Sequence, residues 1–169
     1  MDLRAQLIEE NSKEMADRIA AYVVAKSEFL TELMDCFFDE DLRICQRASW
    51  PMCKLGIRNP DMLVPYIEPM LANLDSPKHD AVVRNTLRVW AEMDIPETYE
   101  GEIYERCLEY ISSPKYAVAI RAFAISVAAH IAMKYPELGQ ELREELLHQQ
   151  QHETKAAIRF RIKKYISIL

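Results

Sequence analysis

The chain has 169 residues, half of them apolar and 28% charged, with a net charge of −6 and only three glycines. That length supports one well-buried core, the apolar fraction excludes a disordered chain, and so few glycines argue against a sheet protein with many tight turns. No run approaches the roughly 18–20 apolar residues that a membrane span needs, and the opening MDLRAQLIEE lacks an apolar signal core. Cys36, Cys45, Cys53 and Cys107 form neither a CxxC pair nor a framework spacing, so they are expected as small core residues in a reducing compartment. The expectation is a single cytoplasmic domain over residues 1–169.

Apolar residues recur at helical spacing and no strand-like alternation persists, which predicts an all-α fold. Helices are predicted over 2–10, 12–25, 27–38, 41–58, 61–75, 79–94, 97–112, 115–135, 136–150 and 153–168. Ser12 and Ser27 stand where a side-chain oxygen caps the helix that follows. Pro60, Pro77, Pro96, Pro114 and Pro136 fall at boundaries, where a missing N–H costs nothing, whereas Pro51, Pro65 and Pro69 fall inside helical stretches and predict kinks.

Two stretches repeat. DSPKHDAVVRNTL (75–87) and SSPKYAVAIRAFA (112–124) align in register at a separation of 37, with Ser76, Pro77, Lys78 and Arg84 recurring as Ser113, Pro114, Lys115 and Arg121. Arg47, Arg84, Arg121 and Arg159 follow one another by 37, 37 and 38 residues. A period near 40 built from two helices marks an α-solenoid, in which each pair buries its apolar face by stacking on its neighbours.

The first helix with its prolines, as in PDMLVPYIEPMLANL, the short turn, and a second helix opening on an apolar residue followed by Arg (Val83-Arg84, Ile120-Arg121) resemble the HEAT repeat family. The resemblance covers 27–169 as four repeats, with the helices of 1–26 as an N-terminal cap, and implies an armadillo-type α–α superhelix. One departure concerns the turn six residues before each Arg. Asp is usual there in the family, whereas this chain has Asp41, Lys78, Lys115 and Glu153, which puts the usual Asp–Arg ladder between repeats in question.

The second helices, with their preceding turns, hold 15 of the 21 basic residues and five of the 27 acids, a net +10 against −16 for the remainder. In the resembling family second helices line the concave surface, so a basic inner face and an acidic back are implied. Such a face attracts phosphates or carboxylates. On 41–58, Arg43, Arg47, Trp50 and Lys54 share one stripe, a cationic row with an aromatic in it, suited to stacking beside phosphate contact. Arg84, Arg88, Arg121 and Arg159 complete the candidate partner-binding set. The competing role for the periodic arginines is structural, satisfying carbonyls or acids of a neighbouring repeat, and Trp50 and Trp90 also suit the core.

Other constellations offer less. His148 and His152 have the spacing of a helical metal pair, but HQQQH is expected to span a turn between repeats. His79-Asp80 marks a helix start, where Asp80 favours the dipole, and His130 sits in an apolar run as a core residue. No thiol has a histidine nearby in sequence to activate it, and the Gly-Ser-Ser-x-Met-Pro-x-Lys loop of fumarase-type lyases has no counterpart. The expectation is a noncatalytic scaffold without metal or cofactor, binding an acidic protein segment or nucleic acid and not a membrane. The alternative is an enzyme resembling the HEAT-like DNA glycosylases of alkylation repair, with Trp90 and Asp94 as its aromatic and acid, although that family's Asn-Trp-Asp motif is absent.

Overall fold

The structure is a computed structural model that describes all of residues 1–169, and its regular elements are helices throughout. They are α1 (Leu3–Glu9), α2 (Lys13–Ala25), α3 (Leu30–Phe37), α4 (Leu42–Arg58), α5 (Ile67–Asn73), α6 (Asp80–Trp90), α7 (Glu97–Ser112), α8 (Val118–Ala132), α9 (Pro136–His152) and α10 (Ala156–Ile166). Two 3-10 segments, Ser27–Phe29 and Pro60–Tyr66, lead into α3 and α5. The chain forms two compact units, Met1–Asp94 and Ile95–Leu169.

Sequence chemistry sets the helix ends. Asp2 accepts from the Ala5 N–H, Ser12 from Met15, and Asp41 from both Arg43 and Ile44, each satisfying first-turn donors that lack helical partners. His79 does the same for α6 with its ring, Nδ1 accepting from the Ala81 N–H at 2.9 Å. Ser27 makes no such bond, because it opens a 3-10 turn instead of capping an α-helix. The predicted helix 61–75 is also divided. Pro65 removes an N–H that an α-helix through Pro60–Tyr66 would use, so that stretch winds as 3-10, and α5 begins late enough for Pro69 to lie in its first turn.

In the first unit, α4 is central, with α1, α2, α3 and α6 packed around it. Of the N-terminal helices, α1 packs against α3 and α4, and α2 against α4. Gly56 is where α4 meets its neighbours: a Cβ there would stand 2.5 Å from Leu63 Cδ1 and 2.8 Å from Val89 Cγ1. In the second unit α8 packs against α7, α9 and α10. It is apolar on nearly all sides, and 11 of its 15 residues are buried, as such a composition requires.

Candidate functional site

The four periodic arginines occupy corresponding places early in α4, α6, α8 and α10, yet their environments differ. Arg47 is half-buried and donates through Nη1 to the Leu7 and Ile8 carbonyls, both at 2.8 Å, closing the C-terminal end of α1 with a cation where the helix dipole favours one. Arg121 is 6% exposed. Its guanidinium lies 2.8 Å from Glu153 Oε2 and donates to the Ile111 carbonyl and to Gln149 Oε1. Burial pushes the Glu153 carboxyl up, but the Lys155 N–H and Arg121 outweigh it and hold the group below its ordinary value. This is one rung of the inter-repeat ladder, formed with the acid in the following turn. For Arg47 and Arg84 the corresponding turn positions are Lys78 and Lys115, which cannot form it. Arg84 and Arg159 are exposed, and neither takes a partner within the fold.

The stripe on α4 divides in the same way. Arg43 is exposed at one end. At the other, Lys54 Nζ stands 2.8 Å from Asp17 Oδ1 of α2, and that close ammonium holds the Asp17 carboxyl below its usual range. Trp50 is half-buried, with Lys54 Nζ 6.0 Å from its ring centroid. α1 and α2 therefore use Arg47 and Lys54, while Arg43 and Trp50 keep accessible surface.

Between α4 and α6 lies a cleft of about 380 Å³, lined by Gln46, Ser49, Trp50, Arg84, Asn85 and Arg88 among others, with no acid in its wall. Arg84 and Arg88 are exposed and one turn apart on α6, so they stand side by side. Asn85 is 5% exposed, and its Nδ2 donates to Ser49 Oγ at 2.9 Å, which itself donates to the Gln46 carbonyl at 2.7 Å. Sequence spacing pointed to Trp50, Arg84 and Arg88 but missed Gln46, Ser49 and Asn85. The available signal was the separation of 36 between Ser49 and Asn85, one repeat period, which brings equivalent faces together.

The remaining candidates lie outside this cleft. Trp90 is fully buried, so it presents no ring to a base and lends nothing to a glycosylase site with Asp94. All four cysteines are free and buried, and burial raises the Cys36 and Cys53 thiols to about 11. His148 and His152 lie on the last turns of continuous α9, not across a turn as expected, and no third metal-ligating side chain joins them. His130 is half-buried, its Nε2 3.2 Å from the Tyr165 hydroxyl. No helix is long and apolar enough to cross a membrane. In the second unit a groove of about 490 Å³ is lined by Glu109, Glu141, Glu144 and Glu145 of α7 and α9, opposite in charge to the α4–α6 cleft.

No curated protein and no solved structure gives a match to this chain. The family model described as HEAT repeat domain matches residues 3–168, which takes in α1 and α2 as well as the 37-residue repeats, and the chain belongs to the HEAT repeat family.

Proposed function

We propose that this HEAT repeat protein is a noncatalytic scaffold that binds an acidic partner on the basic surface of its second helices, centred on the α4–α6 cleft. Arg84 carries the reading. It is exposed beside Arg88, it takes no partner within the fold, and it borders a cleft without an acid. An exposed arginine without a partner, beside a half-buried Trp and bordering a cleft with no acid in its wall, contributes a local positive potential that an anion relieves. The excess of +10 on the second helices supports the same reading.

Of the residues expected at this surface, Trp50, Arg84 and Arg88 border the cleft, Arg43 is exposed near the start of α4, and Arg159 is exposed on α10 of the second unit. Arg47, Lys54 and Arg121 support it through the fold, Arg47 bound to the Leu7 and Ile8 carbonyls and Lys54 and Arg121 paired with Asp17 and Glu153. The test is a titration with polyanions at several salt concentrations. Affinity falls as salt rises, and Arg84→Gln weakens binding while leaving the melting temperature unchanged. Loss of stability on that substitution, or binding indifferent to it, contradicts the proposal.

A further inference from the structure

We infer that the α4–α6 cleft seats one unstacked base of a single-stranded nucleic acid, with Trp50 as the stacking wall, the Gln46 and Asn85 amides at the base edge and Arg84 on a flanking phosphate. This deepens the polyanion reading above and rests on it. Size is the first ground. At about 380 Å³ the cleft is near the lower end of the roughly 300–1,000 Å³ typical of small-molecule sites, which suits one unit of a polymer and not a helix or a duplex.

The chemistry of the wall is the second ground. Carboxylates of an acidic peptide need only the arginines, and a flat indole beside them would go unused. A nucleotide uses both, because every base has a face that stacks on an aromatic ring and every phosphate accepts a forked pair of guanidinium hydrogen bonds. Third, Asn85 is a buried amide held in one orientation. It gives one amide hydrogen to Ser49 Oγ, and Ser49 is itself fixed by the Gln46 carbonyl. That leaves one N–H and the carbonyl oxygen, a donor and an acceptor in a fixed plane, which matches the paired functions along a base edge. A base reaches such a cleft only when it is out of the double-helical stack, so the ligand is single-stranded.

The experiment compares four probes by fluorescence anisotropy with the full chain: a 12-mer thymidine oligonucleotide, an abasic oligonucleotide of the same length, a duplex, and a poly-glutamate peptide. The single strand is expected to bind about tenfold more tightly than the abasic strand, within the range of aromatic–base stacking. Trp50→Ala should bring the two together, and Trp50→Phe should restore part of the difference. Quenching of tryptophan emission by the oligonucleotide should vanish in Trp50→Phe, because the remaining Trp90 is buried. Equal binding of the abasic strand, or of poly-glutamate, overturns the base site while leaving the polyanion scaffold standing. Binding of none of the four at low salt removes both.

Discussion

At the residue scale, the charge in the next turn separates Arg121 from Arg47 and Arg84. Glu153 draws Arg121 into the interior, and Lys78 and Lys115 leave Arg47 and Arg84 to find other roles. The repeat made the four positions visible in the sequence, and the turn residues put the ladder as a whole in question without showing that Glu153 pairs with Arg121. The capture of Arg47 by the C-terminal carbonyls of α1 was not legible, since nothing in local sequence places residues 7 and 8 beside residue 47. Breaking the buried pair leaves one charge uncompensated, so Arg121→Gln is expected to cost about 3 kcal/mol in a denaturant titration. The pH dependence has a defined sign. Glu153 is depressed in the folded state, so its contribution is complete above the ordinary value of 4.5 and is lost as the pH falls through the lower folded value. Melting temperatures from pH 7 to pH 3 should therefore fall less steeply for Glu153→Gln than for the wild type. The thiols give another check: with all four buried and Cys36 and Cys53 raised to about 11, a disulfide reagent at neutral pH should modify none quickly until denaturant is added.

Helices as elements were the most legible feature, because the 3.6-residue apolar period runs through the chain and prolines mark the breaks. The predicted helix 61–75 failed locally for a physical reason. Prolines spaced four apart at 61–75 remove successive i to i−4 donors, and a 3-10 turn is what the backbone then adopts. Pro51, by contrast, lies within a continuous α4, although it denies a bond to the Arg47 carbonyl. α4 also carries the tightest constraint. Helix propensity alone says Gly56→Ala should stabilise by about 1 kcal/mol. The added methyl would instead meet Leu63 and Val89 well inside contact distance, so a net loss of about 1–3 kcal/mol is expected on thermal unfolding.

For the molecule, the 37-residue period reappears as the sequence separation of its polar contacts. Ser49 to Asn85 spans 36 residues, Ser126 to Arg161 spans 35, and Tyr104 to Glu141 spans 37, each joining like helices of neighbouring repeats. Charge follows the same order, with a cleft bearing two arginines among second helices of the first unit and a groove of glutamates among first helices of the second. The partition by helix type was readable from the sequence. Which of the positive charges remain available was not, because that depends on acids and carbonyls distant in the chain. The most direct test is the salt dependence of oligonucleotide affinity for the wild type and Arg84→Gln. If Arg84 is an available phosphate contact, the log–log slope becomes shallower by about 0.7–0.9, with melting unchanged. An identical slope in the two proteins, or a variant that melts several degrees lower, contradicts the assignment and returns Arg84 to the structural arginines.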